Sequence, residues 1–346
     1  MSPRRKFTHV LFRFKWPLFW YAPGLALALT VVALLLSNVQ DTAAAVLVSD
    51  ASSTHANHHP YAATQNTESP LLPGPTYKTN DGPFFQVHCS IGERLRDDPI
   101  VFPNQPGAAH EHQFSGAKII NAFSTYEKLT SGSTSCNNLS DTAAYWAPTL
   151  YDSQGVLRSP FRVKAYYYAN NSGTNVTLRA FPQNLRIIAG DPRATGPQPV
   201  GVIDWFCRNR TNQNAGLALA SDNPPRCDSD EFLSLSIRFP DCWDGINLDS
   251  SDHRRHMAYS SQKMFCPSTH PVKLPKLRLS VVYEDKAFTG GNFTLGGASG
   301  QSHALPWYAM HADFWNTWQQ SALEKQVNDC LRSGSTGTIR PAGCQS

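Results

Sequence analysis

Eight cysteines, all of them after residue 88, constrain the fold of this chain more than any other feature of its sequence. Their number is even and no two of them form a CxxC pair, so the pattern indicates disulfides in an oxidising compartment rather than a zinc site or a redox motif. Cysteines that are neighbours in sequence form the simplest pairs, although the sequence leaves other connectivities open. This arrangement predicts Cys89–Cys136, Cys207–Cys227, Cys242–Cys266 and Cys330–Cys344.

The N-terminal region contains an uncharged, nearly continuous apolar stretch at residues 16–36, preceded by a basic tail at residues 1–15. A helix of about 20 apolar residues crosses a bilayer, and the basic flank predicts that the tail stays on the cytoplasmic side. We expect a transmembrane or signal-anchor helix here, and the alternative is a cleaved signal peptide that ends near residues 42–46. The protein is then either anchored in the membrane facing outside or secreted after cleavage.

Charge and motifs exclude several classes of partner. Without its five basic tail residues the chain has 25 Lys and Arg against 26 Asp and Glu, a net charge of −1. A nucleic-acid-binding domain carries a basic patch on its folded part, so nucleic acid is disfavoured as a partner. The sequence contains no Gly-rich phosphate loop, no HExxH zinc signature and no nucleophile elbow, and nucleotide binding, protease and esterase functions therefore lack support.

The organisation of the remaining chain predicts a linker followed by one folded domain. Residues 37–80 are rich in Ser, Thr, Ala, Asn, His and Pro without periodicity, which is typical of a flexible linker. Within residues 81–346, short runs of Val, Ile, Tyr, Phe and Thr alternate with turn signals, and only residues 315–331 show helical spacing. We therefore predict a mainly β fold, a single β-sandwich or jelly-roll-like domain with disulfides and one C-terminal helix.

Histidines of the predicted domain fall into groups with acidic neighbours, and the first group is His110, Glu111 and His112. In an extended segment the two imidazoles point to the same side, about 7 Å apart. That arrangement fits two ligands of one metal ion or two ends of one substrate. A polar strand face that happens to carry two histidines fits it equally well.

The second group combines Asp244 with Asp252, His253 and His256. On a helical turn His253 and His256 share one face, at about 5–6 Å between Cβ atoms, and Asp252 then orients one ring or caps the turn. Asp244 follows a cysteine and a tryptophan that we expect to be structural. A carboxylate at such a corner serves as an acid, a base or a histidine-orienting group.

The third group is His311 and Asp313, directly before the predicted helix, where Asp313 is also a natural helix cap. Aromatic neighbours add surfaces that stack on sugar rings, above all Tyr145 and Trp146, for which burial in the core is the alternative. The sequence thus predicts substrate contacts at Tyr145 and Trp146 in addition to the histidine groups.

At these motifs the chain resembles the secreted family known only as a domain of unknown function, DUF1996. The matching motifs are FQVHC at 85–89, DPIV at 98–101, HEH at 110–112, AYWAP at 144–148, FPDCWDG at 239–245, DHRRH at 252–256, CPSTHP at 266–271, HADF at 311–314 and the cysteine at 330. The resemblance implies an exported domain, sometimes joined to wall-binding or carbohydrate-binding modules, and no established reaction. It also implies recurrent polar positions at His110, His112, Tyr145, Asp244, Asp252, His253, His256, His270, His311 and Asp313. The chain departs from the pattern at Asn104 and Thr317, where glycine is usual.

We hypothesise that the three histidine groups converge in one cleft that binds, or binds and cleaves, an extracellular or wall polysaccharide. The chemistry is either His/Asp acid–base catalysis or catalysis by a divalent metal ion. The expected metal ligands are His110, His112, His256 and His311. The alternative is a non-catalytic surface or wall-binding module in which the same residues hold a structural metal or a buried polar network. Sequence alone leaves open whether the protein is an enzyme.

Overall fold

The computed structural model describes residues 82–169, 177–209, 220–261, 264–283, 293–298, 305–332 and 344–345. The predicted tail, membrane segment and linker lie outside these described residues. Among the described residues, no helix combines the length and the apolar character needed to cross a bilayer.

Short antiparallel strands make up most of the described structure, which confirms the predicted mainly β class. In chain order the strands are β1 (Phe84–Cys89), β2 (Ile91–Leu95), β3 (His112–Gly116), β4 (Ala144–Pro148), β5 (Leu150–Tyr151), β6 (Leu157–Arg158), β7 (Pro160–Tyr168), β8 (Arg186–Gly190), β9 (Ile203–Asn209), β10 (Glu231–Arg238), β11 (Cys242–Trp243), β12 (Met257–Ala258), β13 (Val272–Lys273), β14 (Lys276–Tyr283), β15 (Thr294–Leu295), β16 (Leu305–Pro306), β17 (His311–Trp315) and β18 (Cys344–Gln345).

Helical structure is scarce, as predicted. A five-residue helix α1 spans Tyr126–Thr130, and a 3-10 turn spans Trp307–Ala309. The C-terminal helix α2 spans Gln320–Gln326 and continues into a π-helical turn, Val327–Arg332. The helix begins later than the sequence periodicity indicates, because residue 315 still belongs to β17.

The strands form four antiparallel sheets. The six-stranded sheet has the order β18-β1-β7-β14-β10-β9, and the five-stranded sheet has the order β2-β3-β4-β17-β8. A four-stranded sheet, β16-β15-β5-β6, and a three-stranded sheet, β12-β11-β13, complete the described structure. Neighbours in these sheets are often distant in sequence, and β17 lies between β4 and β8.

One hydrophobic core collects side chains from both larger sheets. Alternate residues of β7 and β14, such as Tyr167 and Leu279, belong to it together with Phe314 of β17 and Ile187 of β8. This alternation follows from the two-residue period of a strand, in which successive side chains point to opposite faces.

A second, smaller cluster lies on the other face of the five-stranded sheet. Trp146 and Trp315 belong to it, and Ile100, Val101 and Leu129 pack there from the segment that connects β2 to β4. This covered face also carries the polar groups described below.

Four disulfides connect the strands, and all four predicted pairings are confirmed: Cys89–Cys136, Cys207–Cys227, Cys242–Cys266 and Cys330–Cys344. The described cysteines include no free thiol. Cross-links of this kind stabilise a fold mainly by restricting the unfolded chain.

Candidate metal centre

Strand β17 directs two polar side chains onto the covered face of the five-stranded sheet. Ala312 and Phe314 belong to the main core, so His311 and Asp313 point the other way, on the same side as Trp315. Asp313 was a candidate helix cap, but it lies inside β17, whereas α2 begins at Gln320. The carboxylate is therefore a strand residue of the covered face and not a helix cap.

Close backbone packing places His311 at the end of this strand. His311 pairs with Gly190 of β8, whose φ is +80°. A Cβ atom at Gly190 would lie 2.7 Å from the carbonyl oxygen of Met310 and 2.9 Å from Cα of His311. Glycine is required here, because any side chain would displace the strand that carries the histidine.

Strand β3 contributes to the same face from the other side of β4. Phe114 belongs to the smaller cluster, and His112, two residues earlier, shares its side of the strand. In the sheet register Phe114 lies opposite Trp146, and Trp146 lies opposite Asp313. His112 and Asp313 are therefore brought to one face by strands that flank β4.

Three imidazole nitrogens converge at this place. The Nε2 atom of His311 lies 3.2 Å from Nε2 of His110 and 3.5 Å from Nε2 of His112. One ligand atom from each of the three histidines lies within 4.8 Å of the others. The sequence prediction that His110, His112 and His311 approach one another therefore agrees with the structure.

Hydrogen bonds fix the tautomers of two of these rings. Nδ1 of His112 donates to the carbonyl oxygen of Asp97 at 3.0 Å, and Nδ1 of His311 donates to the carbonyl oxygen of Ala309 at 2.8 Å. A carbonyl oxygen only accepts, so each Nδ1 carries a proton and each neutral ring presents its Nε2 lone pair to the cluster. Burial lowers the pKa of His112, with Asp98 opposing the shift, which favours the neutral ring.

Two carboxylates complete the cluster. Asp98, His112 and Asp313 form a second group whose ligand atoms lie within 4.8 Å of one another, and Oδ2 of Asp313 lies 3.9 Å from Nε2 of His311. Neither side-chain oxygen of Asp313 has a hydrogen-bond partner in the described part of the chain. Burial, together with the charge of Asp98, raises the pKa of Asp313, and Arg254 opposes this shift.

The loop that follows β2 holds Asp98 in place. Oδ1 of Asp98 accepts hydrogen bonds from the backbone N–H groups of Ile100 and Val101, both at 2.9 Å. The neighbouring Asp97 accepts from Gly107 and Ala122 through its side chain, while its carbonyl oxygen accepts from His112. The loop is thus tied both to its own backbone and to the histidine cluster.

Access to the centre is uneven. His112 and Asp313 are 0% exposed and His311 is 2% exposed, whereas His110 is half-buried and follows exposed residues at 103–108. Any ligand from solvent therefore reaches this cluster at His110.

A family model described as Domain of unknown function (DUF1996) matches residues 98–318, more than half of the chain. This chain belongs to the DUF1996 family. The matched range begins at Asp98 and includes His110, His112, His311 and Asp313, so the whole cluster lies within the DUF1996 domain. No curated protein and no solved structure matches the chain.

His256, in the DHRRH motif at 252–256 of this DUF1996 domain, makes other contacts. Its Nε2 donates to the carbonyl oxygen of Arg186 at 2.7 Å, and its Nδ1 lies 3.0 Å from Oγ of Ser250. Both ring nitrogens are thus engaged, and no ligand group among the described residues includes His256. The structure therefore brings three of the four predicted metal ligands together and gives the fourth hydrogen-bond partners of its own.

The other members of that second group stabilise turns. Asp244 accepts from the backbone N–H groups of Ile246 and Asn247, and Asp252 accepts from those of Arg254 and Arg255. Partners of this kind are typical of residues that cap a turn.

The two remaining histidines of the DUF1996 pattern are also hydrogen-bonded locally. Nδ1 of His253 contacts the Asp249 carboxylate at 2.9 Å, and Nε2 of His270 donates to the carbonyl oxygen of Arg255 at 2.8 Å. His253 adopts a positive φ of 56°, so the segment is a tight turn rather than the helical turn that the spacing predicts.

One residue of this turn does reach the centre. Arg254 donates to the carbonyl oxygen of Gly190, opposite His311, and its charge acts on Asp313. Sequence reasoning missed Arg254 and the two aspartates of the 97–98 loop as site residues. The motif DPIV at 98–101 was the available signal for Asp98.

Tyr145 and Trp146 do not present sugar-stacking surfaces in this structure, because each is only 1% exposed. The Tyr145 hydroxyl donates to Asp141 at 2.8 Å and lies 2.5 Å from the hydroxyl of Tyr167. Trp146 forms part of the covered face beside Asp313. Both residues are buried in the core, which was the alternative to sugar stacking.

Proposed function

We propose that this domain binds a divalent transition-metal ion through the Nε2 atoms of His110, His112 and His311, with the carboxylate of Asp313 as a further ligand. The convergence of these three imidazole nitrogens is the observation that carries the proposal. Asp98 and Arg254 adjust the charge around the ion without being required as ligands.

The distances support an ion between the rings. An ion that binds nitrogen at about 2.0–2.1 Å in tetrahedral geometry separates its ligands by roughly 3.3 Å. The separations measured here are 3.2 Å and 3.5 Å. Because Nδ1 carries the proton in His112 and His311, their Nε2 atoms are both acceptors and cannot bond to each other. A cation between them supplies the missing attraction.

The donor set also indicates which ions fit. Imidazole nitrogen suits zinc, copper, iron and nickel, whereas calcium and magnesium prefer sites made entirely of oxygen ligands. The Nδ1 atoms of His112 and His311 both donate to backbone carbonyl groups. This arrangement is common for histidines that bind a metal through the other ring nitrogen. A zinc-like ion is therefore the expected occupant.

The domain acts outside the cytoplasm, anchored through residues 16–36 or released after cleavage, as one β-sandwich-like unit on a flexible linker. Four disulfides support this location, because such bonds persist in oxidising compartments. Its substrate is an extracellular or wall polysaccharide, reached on the side of the half-buried His110. A bound ion of this class supplies Lewis-acid character and a water of lowered pKa.

Equilibrium dialysis of the full chain against zinc, followed by elemental analysis, tests the binding step. We expect one ion per chain in the wild type and none in His112→Gln, while His256→Gln retains the ion. Equal metal content in wild type and His112→Gln, with all three proteins folded by circular dichroism, would refute the proposed centre.

Deep burial favours a second candidate, a non-catalytic module in which the ion is structural. His112, His311 and Asp313 are nearly inaccessible, as ligands of closed structural sites are. A turnover assay on a panel of wall glycans separates the two functions. Cleavage by the metal-loaded chain that is lost in His112→Gln supports the enzyme, and metal-dependent stability without cleavage supports the structural role.

A further inference from the structure

The face of the six-stranded sheet that points away from the main core carries a group of cations. We call Arg162, Lys164, Arg208 and Arg278 the basic face. Arg162 and Lys164 alternate along β7 with core residues such as Val163, and Arg278 lies between core residues of β14. The four cations therefore share one side of the sheet.

Polar and aromatic side chains lie between these cations. In the register of the sheet, Lys164 lies opposite Ser280, which lies opposite Ser236 on β10. Arg278 lies opposite Tyr166, and its guanidinium carbon is 4.4 Å from the centre of that ring. Stacking of this kind holds the guanidinium plane in a fixed orientation.

The cations act on one another. Burial, together with Arg162 and Arg208, lowers the pKa of Lys164 to about 8. Burial also lowers the pKa of Arg208; Tyr166, which is hydrogen-bonded to it, opposes this shift, and Arg162 and Arg278 add to it. Like charges this close repel each other, and each lowers the proton affinity of its neighbours.

The described carboxylates do not pair with three of these cations, Lys164, Arg208 and Arg278. Asp204, the acidic residue on β9, forms an ion pair with Arg238 and accepts from the N–H of Gly201. Within the described ranges, no carboxylate forms an ion pair with Lys164, Arg208 or Arg278. The domain after the basic tail has a net charge near zero, so a local excess of cations on one face is not a consequence of composition.

Buried donors on this face also lack partners. The hydroxyl oxygens of Ser234 and Ser236, which are 0% and 1% exposed, and the Nε atoms of Arg208 and Arg278 have no hydrogen-bond partner in the described structure. An unpaired buried polar group costs about 1–3 kcal/mol, so several on one face indicate a missing acceptor.

We propose that the basic face binds an oxyanion, the phosphate, sulfate or carboxylate group of a ligand. Guanidinium groups and hydroxyls are the donors that recognise such groups, and an anion would both satisfy them and offset the repulsion among the cations. The site is separate from the histidine cluster and does not depend on metal binding.

Thermal unfolding of the full chain in sulfate, phosphate or an oligogalacturonate, each against chloride at equal ionic strength, tests this proposal. We expect each binding anion to raise the Tm of the wild type by several degrees, since a ligand that binds the folded state stabilises it. Sulfate and phosphate acting alone would identify a tetrahedral anion, and the oligogalacturonate acting more strongly would identify an acidic glycan.

Variants decide whether the basic face is responsible. Lys164→Gln and Arg278→Gln should reduce the anion-induced shift and weaken binding measured by calorimetry at least about 10-fold, whereas Lys128→Gln on the exposed helix α1 should not. In chloride, Lys164→Gln should retain or raise the wild-type Tm because one repelling charge is removed, which shows that the variant is folded. Equal anion responses in the wild type and in the Lys164 and Arg278 variants, or no response in the wild type, would overturn the assignment.

Discussion

Trp146 and Asp313 lie opposite each other on adjacent strands β4 and β17, and both bring buried polar atoms without hydrogen-bond partners to the same face. Neither the indole Nε1 of Trp146 nor either carboxylate oxygen of Asp313 is satisfied within the described residues. Native proteins leave few buried groups unpaired, and such groups often mark a place for an ion or water. The carboxylate of Asp313 therefore gives the metal proposal support beyond the three histidines, whereas the indole N–H of Trp146 requires an acceptor such as a water oxygen.

Replacement of Asp313 by asparagine should separate stability from function. In the presence of a chelator, Asp313→Asn should raise stability by about 1–3 kcal/mol, because a neutral amide replaces a buried carboxylate that the charge of Asp98 repels. The same variant should bind zinc roughly 100-fold more weakly or worse, since loss of outer-shell partners alone costs 10–100-fold. Denaturant unfolding with and without zinc measures both effects.

The exposed Asp222 provides a matched control for that experiment. Asp222→Asn makes the same chemical change outside the cluster and should alter neither quantity. A chelated Asp313→Asn protein that is less stable than the wild type would mean that the carboxylate has a partner in the metal-free fold.

The two buried histidines His112 and His256 should respond differently to substitution. His112→Gln should abolish zinc binding, whereas His256→Gln should leave it intact and lower stability by about 1–3 kcal/mol, because the ring bridges Ser250 and the Arg186 carbonyl group. Calorimetric titration with zinc and urea unfolding of both variants check this. Loss of zinc binding in a folded His256→Gln variant would restore His256 to the ligand set.

A buried carboxylate outside the centre predicts a pH dependence of stability. Burial raises the pKa of Asp141 to about 8 from an ordinary value of 3.8, despite its hydrogen bond from Tyr145. Between these values the folded chain keeps a proton that the unfolded chain has lost, so this group's contribution to stability falls as pH rises.

Asp141→Asn removes that titration. The free energy of unfolding of the variant relative to the wild type should therefore increase between about pH 5 and about pH 7, by up to roughly 1.4 kcal/mol per pH unit. Urea unfolding at the two pH values measures the difference. A difference that does not change with pH would show that Asp141 is ionised in the folded protein.

Lys273 and Asp241 form a buried ion pair, with Nζ and Oδ2 2.5 Å apart. Removing one member of the pair should cost more stability than removing both. Lys273→Met should destabilise the domain by about 3–5 kcal/mol, because it removes the cation closest to the buried carboxylate of Asp241. Asp241→Asn combined with Lys273→Met should recover most of this loss, since the amide oxygen still accepts from Ser260. A double variant no more stable than Lys273→Met would contradict this explanation.

Much of the fold was predictable because its signals are local. Alternation along strands such as β7 and β14 predicted the β class, and proximity in sequence predicted all four disulfides. The helix start was misplaced because Trp315 matches the helical spacing while its side chain continues the alternation of β17. The pairing of β17 between β4 and β8 joins distant segments, and no local pattern encodes it.

The family resemblance also left one difference that the structure explains. The resemblance implied glycine at position 104, where this chain has Asn104 with a φ of 62°. Among residues with a side chain, asparagine adopts this conformation most readily, so the substitution preserves the loop.

The candidate site was only partly predictable. The two-residue spacing of His110 and His112 predicted that their rings lie on one side of an extended segment. His311 and His256 both have acidic neighbours in sequence, so the sequence could not show which of them joins this pair. The two histidines differ in their backbone partners. His311 donates from Nδ1 to the carbonyl oxygen of Ala309, whereas His256 donates from Nε2 to the carbonyl oxygen of Arg186. The acceptor of the ring N–H group, a carbonyl two residues upstream for His311 and one on β8 for His256, therefore decides which nitrogen of each ring is left to face other groups.

The position of β17 determines when the centre can exist during synthesis. His110 and His112 leave the ribosome some two hundred residues before His311 and Asp313, and the ligand set closes only after β17 enters the sheet between β4 and β8. An ion consequently cannot nucleate folding of the N-terminal half. If the proposed centre binds an ion, that ion would be acquired from whatever compartment surrounds the chain at the end of folding, and the metal supply of that compartment would select the occupant.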